Sequence, residues 1–438
     1  MEVEIISNES IKPSSPTEDH LKTFKLSCLD RYRPSEYIPL ILFYTPDPTY
    51  TNFDSISDRL KKSLSETLTR FYPIAGRIRD NNTWVECNDE GVEYIETRIN
   101  GKVSDFTMTS KLLHQLVPVH NNLATEVPAV IQVNFFECGG VAITVCISHK
   151  IGDTSTYATF INSWAATARR APADQVACPS FDSQSLFPIL VPDTDTDWRG
   201  YGSSDEEENE NLVTKRLVFD GEKVNALRER IGDTLTTLKY PTRVEAVSAL
   251  IWKSAIEARL ATSPEPEDDL KPEIVSEMNI VVNVRKKMDP PLADSSFGNI
   301  FSMATAKASI TSAGVYFDDL VGQIRIAISR IDGDHVKKMQ NDEHSDDEEE
   351  GYDHDHDDDD NDYWLMSWCN FPLYEIDFGF GKPDWVTTDA LEVLDENDIY
   401  LMDTRVGKGV EAWIKLEKQK MDMFLKNQEL LEFATFFD

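Results

Sequence analysis

Two runs of strand-forming residues, joined by a turn that contains two glycines, constrain the fold of this chain more than any other feature. The runs span residues 128–136 and 140–148, and the letters ECGG connect them. β-Branched and aromatic residues on both sides of such a turn are typical of a β-hairpin. The second run is apolar at almost every position from Val141 to Ile147, as expected of a buried strand. The sequence therefore predicts a buried hairpin.

A histidine follows this hairpin directly. His149 is the only one of the eight histidines at the end of such a strand, and Asp153 comes four residues later. Gly152 turns the chain between them, and Asp153 to Ser155 are N-cap candidates for a helix. The apolar residues of that helix are spaced to share one face: Tyr157, Phe160, Ile161, Trp164 and Ala168.

The position and the chemistry of His149 make it a candidate catalytic residue. Strand ends that face a domain junction hold catalytic groups because the scaffold is rigid and the loop is open to substrate. Imidazole, with an unperturbed pKa of about 6.5, can take up a proton at neutral pH and return it. The alternative is a histidine of the core or surface without a chemical role, and the neighbouring residues alone do not exclude it.

The remaining patterns indicate two domains of mixed strands and helices, an α/β (α+β) protein. A chain of 438 residues exceeds the size at which one hydrophobic core keeps growing. The polar stretch from Cys178 to Leu212 is the best boundary. We place the N-terminal domain at residues 1–185, a crossover linker at 186–214 and the C-terminal domain at 215–438. The sequence predicts helices over residues 54–72, 221–232 and 242–261, a strand ending in VVNVR, a C-terminal hairpin and a last helix to Phe437.

Charge and composition exclude several classes of partner. The formal net charge of −35 repels nucleic acid and anionic membrane surfaces. Part of this charge lies in an acidic run over residues 341–362, which we interpret as a disordered surface loop because it lacks core-forming residues. The N-terminus has no signal-peptide pattern, and no apolar run is long enough to span a membrane. We expect a cytoplasmic protein whose six cysteines are reduced thiols.

Other catalytic and binding motifs are missing from the sequence. It contains no G-x-S-x-G elbow, no P-loop and no H-E-x-x-H metal motif. The letters GFGKPD at Gly379 begin like a dinucleotide fingerprint, but Asp384 stands where the third glycine belongs. The Asp/His-rich run around His354 could bind cations weakly, although a solvated loop is the better interpretation. We therefore predict no metal site and no permanently bound cofactor.

Two short motifs in a fixed order connect the chain to a known family. SHKIGD at residues 148–153 and DFGFGKP at residues 377–383 resemble the paired H-x-x-x-D and D-F-G-W-G motifs of the plant BAHD acyltransferases. Further segments match in the same order, and they cover nearly the whole chain: FYPIAGRI, RVEAVSALIWK, MDPPLADSSFGNI, SWCNFPLYEIDFGFGKP and LMDTRVGKGVEAW. Within the family the chain is most similar to the vinorine synthase-like branch of alkaloid and terpenoid O-acetyltransferases.

The resemblance implies a fold and a reaction. The fold would be two domains of similar topology, related to chloramphenicol acetyltransferase, with a channel between them that admits acyl-coenzyme A from one side and an alcohol from the other. His149 would be the general base that activates the alcohol for attack on the thioester, without a covalent acyl-enzyme. Trp368 would stabilise the oxyanion through its indole N–H. Asp377, in the second motif, is often grouped with the active site but resembles a structural element.

The resemblance also implies supporting residues. Asp153 would turn away from the substrate and pair with Arg285 of the other domain, which would hold the His149 loop in place. Glycines of the two motifs would shape the site: Gly152, Gly379 and Gly381. The residues that match the acyl-coenzyme A-binding segments of the family are Thr242, Arg243, Gly298 and Asn299.

This chain departs from the family pattern at three places. Phe380 replaces the usual tryptophan of the second motif. Met366 replaces a common threonine near the acceptor, and the loss of that hydroxyl suggests an apolar substrate. The acidic run at residues 341–362 is foreign to the pattern. In addition, SSFGNI lacks the Y-F-G-N-C form of the flavonoid malonyltransferases, which disfavours a malonyl donor.

The sequence thus predicts a monomeric, metal-independent O-acyltransferase that moves acetyl from acetyl-coenzyme A to a hydroxyl of a plant alkaloid or terpenoid. Alternatives within the class are another short donor, such as malonyl-coenzyme A, or an amine acceptor. A catalytically silent family member that acts as a binding protein is an alternative outside the class. A third alternative makes the acidic run a calcium-binding or partner-binding segment. The identity of the acceptor does not follow from the sequence.

Overall fold

The structure is a computed structural model of the chain. The residues it describes are 2–31, 33, 36–46, 52–79, 83–107, 110–118, 126–189, 211–234, 240–262, 274–310, 314–341, 362–389 and 394–437. Most of the linker predicted at residues 186–214 and nearly all of the acidic run predicted at residues 341–362 lie outside the described residues.

Strands and helices alternate along the chain, with the strands collected into sheets. The strands are β1 (Val3–Ile11), β2 (Thr23–Lys25), β3 (Tyr37–Tyr44), β4 (Arg77–Arg79), β5 (Trp84–Glu86), β6 (Val92–Ile99), β7 (Ala129–Phe136), β8 (Val141–Ser148), β9 (Leu212–Phe219), β10 (Ile274–Asn283), β11 (Phe301–Ile310), β12 (Asp362–Ser367), β13 (Trp385–Thr387), β14 (Asp398–Asp403), β15 (Val410–Glu417) and β16 (Thr435–Phe437). The helices are α1 (Cys28–Arg31), α2 (Phe53–Arg70), α3 (Val103–Thr107), α4 (Thr154–Ala168), α5 (Ser183–Leu186), α6 (Gly221–Thr234), α7 (Arg243–Thr262), α8 (Phe317–Arg330), α9 (Gly333–Gln340), α10 (Lys418–Phe424) and α11 (Gln428–Phe433).

The first large sheet contains the predicted hairpin. Within the described residues its strand order is β1-β6-β7-β8-β3-β13, with β6 and β7 parallel and the other neighbours antiparallel. Every residue of β7 and β8 is buried, because these strands lie in the middle of the sheet. The hairpin prediction is confirmed, and β8 delivers His149 to the end of a rigid central strand.

Helices α2 and α4 pack against each other in this first domain. The apolar stripe of α2 is buried as its spacing predicts, at Ile56, Leu60, Leu64 and Leu68. The side chain of Asn52 caps the helix by accepting a hydrogen bond from the backbone N–H of Ser55 at 3.3 Å. Helix α4 begins directly after Asp153 and is buried along most of its length, so the His149 loop is fixed at both ends.

The second large sheet belongs to the C-terminal half. Its strand order among the described residues is β11-β10-β12-β14-β15-β9-β16, and α7 packs against α8 and α10 beside it. The two sheets, each with its own helices and hydrophobic core, form the two domains that the sequence predicts. A smaller sheet, in the order β2-β5-β4, accompanies the first domain.

One strand crosses the division between the domains. Strand β13 comes from the C-terminal half of the chain but pairs with β3 in the first sheet, where Trp385 lies opposite Phe43. The indole N–H of Trp385 donates to the carboxylate of Glu411 in β15 at 3.1 Å, and Arg216 pairs with the same carboxylate at 2.7 Å. Strand β13 thus links the two domains, and nothing in the sequence predicts this pairing.

The last helix predicted up to Phe437 is wrong. The segment forms two short helices, α10 and α11, and then strand β16, which pairs with β9. Asn427 separates the helices because its side chain accepts a hydrogen bond from the backbone N–H of Leu430 at 3.0 Å and so caps a new helix start. Edge pairing with β9 then determines the conformation of the final residues.

Two further sequence predictions concern the covalent and membrane state of the chain. All six cysteines are described, and no two of them form a disulfide. Among the described residues, no helix is both long enough and apolar enough to cross a membrane.

Candidate active site

His149 lies in the turn that follows β8. Its backbone N–H donates to the carbonyl of Glu36 at 2.9 Å, and its ring faces Phe301 with 6.1 Å between the ring centroids. The side chain keeps some solvent exposure. The ring atom Nδ1 is buried and has no hydrogen-bond partner in the described part of the chain. This leaves Nε2 as the nitrogen that can meet a substrate.

The surroundings of His149 keep its ring neutral. Desolvation by the surrounding protein, and secondly the nearby Arg33 guanidinium, lower the pKa of His149 to about 4. The carbonyl of the residue itself, Asp153 and Asn299 act in the opposite direction. Arg33 lies over the ring of Phe301, which also contacts the imidazole; its Cζ is 4.5 Å from the centroid of that ring. At neutral pH the imidazole is therefore unprotonated and able to accept a proton.

Asp153 is directed away from the imidazole and caps a helix. Its Oδ1 accepts from the backbone N–H of Thr156 at 3.1 Å, at the start of α4. Its other oxygen, Oδ2, accepts from the backbone N–H of Ile300 at 3.0 Å. Both oxygens also face Arg285, at 2.7 Å from Nη1 to Oδ2 and 3.0 Å from Nη2 to Oδ1. The ion pair that the resemblance implies is present in bidentate form.

Arg285 brings the second domain into the site. It follows β10, is 0% exposed and lies among main-chain carbonyls. Its Nη2 donates to the carbonyls of Ser296 at 2.8 Å and Gly298 at 3.0 Å. Because Asp153 belongs to the first domain and Arg285 to the second, their ion pair fastens the His149 loop across the domain junction.

Two glycines allow the close packing around this ion pair. A Cβ atom on Gly152 would lie 2.5 Å from Cγ2 of Thr156. Gly298 has a φ of +120°, and a Cβ there would lie 3.0 Å from the side chain of Ser183. Positive φ favours glycine. Both positions are therefore sterically restricted to glycine, and the acyl-coenzyme A-binding role of Gly298 stays a prediction.

The other predicted acyl-coenzyme A residues fall into two separate places. Asn299 is 0% exposed and donates to the main-chain carbonyl of His149 at 2.7 Å. Thr242 and Arg243 lie instead at the first turn of α7. There Arg243 pairs with Asp403 at 2.5 Å, and the backbone N–H of Thr242 donates to Glu245 at 2.7 Å. The structure thus groups Asn299 with the histidine and gives Thr242 a capping interaction.

Trp368 follows β12 and reaches into the core of the first domain. It is 4% exposed, and its ring lies 5.9 Å from that of Tyr157 in α4 and 6.1 Å from that of Tyr400. The hydroxyl of Tyr157 donates to the carbonyl of Ile147, at the end of β8, at 2.8 Å. The indole is therefore packed on the residue that supports the strand leading to His149. Among the described residues its N–H has no protein acceptor.

The second motif forms a tight turn that its aspartate holds. Oδ1 of Asp377 accepts from the backbone N–H groups of Gly379 at 2.7 Å and Gly381 at 3.0 Å. Both glycines have positive φ, +95° and +105°. The guanidinium of Arg169, at the end of α4, donates to the carbonyl of Asp377. These hydrogen bonds do not bring Asp377 to His149, so a chemical role for this carboxylate has no geometric support.

Phe380 fills the place of the family tryptophan by packing alone. Its ring lies 5.0 Å from that of Tyr44 in an edge-to-face arrangement, and it is 8% exposed. The turn therefore keeps its aromatic anchor in the first domain without an indole N–H.

Three charged residues near the histidine were missed by the sequence analysis: Asp30, Arg33 and Lys150. Lys150 is buried and donates to the carbonyl of Arg31 at 2.7 Å, and burial lowers its pKa to about 8. The S-x-x-D spacing of Ser27 and Asp30 does signal a helix cap, but no spacing signals that α1 packs beside the His149 loop. Over the described ranges, no group of three or more His, Cys, Asp or Glu side chains is placed to hold a metal ion.

Comparisons with known proteins identify the family of the chain. The model of the Transferase family matches residues 1–431. A dihydroxy-N-methylcanadine 13-O-acetyltransferase of Papaver somniferum is 39% identical, with 96% of each chain covered. A limonoid 1-O-acetyltransferase of Citrus sinensis is 35% identical, with 99% of each covered. The crystal structure of vinorine synthase superposes with a TM-score of 0.81 at 34% identity, over 99% of this chain and 98% of that one.

The fold and the similar proteins together define an acyltransferase of two mixed α/β domains. The chain belongs to the Transferase family, the BAHD acyltransferases.

Proposed function

We propose that this enzyme transfers an acetyl group from acetyl-coenzyme A to a hydroxyl of an alkaloid or terpenoid, with His149 as the general base. The observation that carries the proposal is the neutral histidine at the end of β8, whose loop is held across the domain junction by the Asp153–Arg285 ion pair. The similar proteins named above are O-acetyltransferases, which supports the acetyl donor and the hydroxyl acceptor.

The reaction needs one proton to move to and from the imidazole. Nε2 of His149 takes the proton of the acceptor hydroxyl as its oxygen forms a bond to the thioester carbonyl carbon. The tetrahedral intermediate then collapses, the carbon–sulfur bond breaks, and the thiolate of coenzyme A takes the proton from the imidazolium. The histidine returns to its neutral form, and no acyl-enzyme is required.

The indole N–H of Trp368 is the proposed donor to the oxyanion of this intermediate. Because no described protein group accepts from it, it is available for such a bond. The rings of Tyr157 and Tyr400 both contact the buried indole, which favours a preorganised donor over one that has to reorient during the reaction.

Apolar surroundings favour an acceptor with a large hydrocarbon body. Met366 is partly buried against the first core, and Phe301 lies beside the imidazole. A polycyclic alcohol would bury apolar surface there, at about 25 cal/mol per Å² removed from water. An amine acceptor would be mostly protonated at neutral pH and would lie near the Arg33 cation, which disfavours it.

The proposal is tested by measuring the release of free coenzyme A thiol from acetyl-coenzyme A with a panel of polycyclic alcohols and matched amines, and identifying products by mass spectrometry. We expect acetyl esters and saturable thiol release with at least one alcohol. Thiol release with malonyl-coenzyme A only would change the proposed donor to malonyl. Thiol release with amines only would change the proposed acceptor to an amine. Binding of an alcohol without thiol release from any donor would favour a silent binding protein instead.

A further inference from the structure

We propose that Asp30 and Asn299 are positioning residues that fix the main chain of His149, and through it the direction of the imidazole. The inference rests on the proposed role of His149 as the base. It assigns no contact with substrate to either residue, and it replaces the acyl-coenzyme A-binding role predicted for Asn299.

The two oxygens of the Asp30 carboxylate bind different partners. Oδ2 accepts from the backbone N–H of Ser27 at 2.9 Å and from its hydroxyl at 2.6 Å. The backbone N–H of Asp30 points back to the Ser27 hydroxyl at 3.3 Å, which makes a capping box for α1. This local cap uses Oδ2 only. The second oxygen, Oδ1, therefore serves a purpose outside α1.

Oδ1 of Asp30 binds a residue of the other domain. It accepts from the backbone N–H of Asn299 at 2.8 Å and from its Nδ2 at 3.0 Å. The same Nδ2 donates to the carbonyl of His149 at 2.7 Å. Both neighbours of this nitrogen are acceptors, which fixes the orientation of the amide. Both hydrogens of one –NH₂ group are thus used, one on Asp30 and one on the histidine.

Burial makes this chain of hydrogen bonds specific. Asp30 and Asn299 are each 0% exposed, so water cannot replace a lost partner. Burial raises the pKa of Asp30, and the hydrogen bonds from Ser27 and Asn299 act against that rise. All of these partners are donors, which matches an ionised carboxylate. The second contact between α1 and the loop, from Lys150 to Arg31 at 2.7 Å, holds the same two segments together.

The consequence for catalysis is geometric. The main chain of His149 is held at both ends: its N–H donates to Glu36, and its carbonyl accepts from Asn299. The buried Nδ1 has no well-formed hydrogen bond within the described residues, and the carbonyl of His149 and the side chain of Asn299 are the neutral groups that oppose the lowering of the imidazole pKa by burial. The direction of the ring therefore depends on its own backbone and on Asn299. A displacement of about 1 Å at a reacting group can cost about 10²-fold in rate.

Kinetics of Asn299→Ala and Asp30→Asn test the inference. We expect each variant to lower kcat by about 10- to 100-fold, while KM for acetyl-coenzyme A stays within about a factor of three of the wild type. The double variant should be no slower than about threefold below the slower single variant, because both act through one chain of hydrogen bonds. A rise in KM with unchanged kcat would overturn the inference and restore a coenzyme-binding role for Asn299.

Two controls separate positioning from stability. Ser27→Ala removes only the local cap of α1, so it should lower the melting temperature and leave kcat within about threefold of the wild type. Asp89→Asn matches Asp30→Asn chemically, because Asp89 accepts from the backbone N–H of Thr17 at 2.8 Å and its hydroxyl at 2.6 Å, away from His149. Equal losses of kcat in Ser27→Ala and Asp30→Asn would mean that Asp30 only stabilises α1.

A readout independent of turnover distinguishes the inference from the proposed function. Diethyl pyrocarbonate labels accessible imidazoles, and the rate at His149 can be followed by peptide mass spectrometry. We expect Asn299→Ala to change this rate at least about threefold, with the labelling of the exposed His20 as the internal reference. An unchanged rate would refute the inference even in an active enzyme. Absence of acyl transfer by the wild-type protein would instead refute the proposed function and leave the labelling result to decide on positioning.

Discussion

The ion pair between Asp153 and Arg285 can be taken apart in a double-mutant cycle. Arg285→Ala removes the only described side chain that pairs with this carboxylate and leaves Asp153, 8% exposed, with hydrogen bonds from two backbone N–H groups. It also removes the donor to the carbonyls of Ser296 and Gly298. A buried charge left without its partner costs about 3–5 kcal/mol in the free energy of unfolding, and we expect the upper part of that range.

Asp153→Asn should cost less, about 3 kcal/mol. Asparagine still caps α4, since it is a good N-cap residue, and Arg285 still has two carbonyl acceptors. The –NH₂ group introduced by Asp153→Asn would nevertheless face an N–H donor of Arg285, where the carboxylate oxygen accepts a hydrogen bond in the wild type. In the double variant this mismatch disappears, so the sum of the single losses should exceed the loss in the double variant by about 2 kcal/mol.

Urea denaturation followed by far-ultraviolet circular dichroism measures these losses, and thiol release measures activity in the same samples. Asp334→Asn, which removes an exposed pair with Lys337, is the control and should change the urea midpoint little. Losses that simply add in the cycle would refute the reasoning. So would an Asp153→Asn variant of normal stability whose kcat alone falls, because that result assigns the carboxylate to a proton relay.

Three further outcomes follow from the geometry. Because the pKa of His149 is lowered to about 4, kcat/KM should be lost only as the pH falls through about 4; a fall near pH 6.5 in the pH–rate profile would mean an unperturbed imidazole. Trp368→Phe keeps the ring contacts and removes the N–H, so kcat should fall by about 10²–10³-fold if the indole binds the oxyanion. Steady-state kinetics measures this fall, and an unchanged circular dichroism spectrum shows that the fold is intact. A loss of kcat below about threefold would assign the residue to packing. Glu411→Gln should lower the free energy of unfolding by about 3 kcal/mol, because Arg216 in β9 loses its buried counter-charge in the neighbouring strand β15. Urea denaturation measures this loss, and an unchanged midpoint would show that the ion pair does not stabilise the second domain.

Local parts of the site could be predicted from sequence because local chemistry determines them. The hairpin follows from strand-forming residues on both sides of a glycine turn, and Asp153 follows from the capping preference of a carboxylate before an apolar helix. The same reasoning placed His149 at a strand end. It could not give the histidine a role, which came from the resemblance of two motifs to a family.

Contacts between distant segments could not be predicted in this way. The pairing of β13 with β3 stacks Trp385 on Phe43, and neither residue carries a signal for the other. The C-terminal segment reads as a continuous helix until Asn427 and the free edge of β9 are considered. The partnership of Asp30 with Asn299 joins residues 269 positions apart, so only the folded chain reveals it.

The central claim is that His149 is the base for acyl transfer. It is tested most directly by the initial rate of ester formation from acetyl-coenzyme A and an accepted alcohol, compared between the wild type and His149→Ala, with His20→Ala as the surface-histidine control. We predict that His149→Ala lowers kcat by about 10²–10⁴-fold with an unchanged circular dichroism spectrum, while His20→Ala matches the wild type. A His149→Ala enzyme that keeps more than about a tenth of the wild-type kcat would contradict the account.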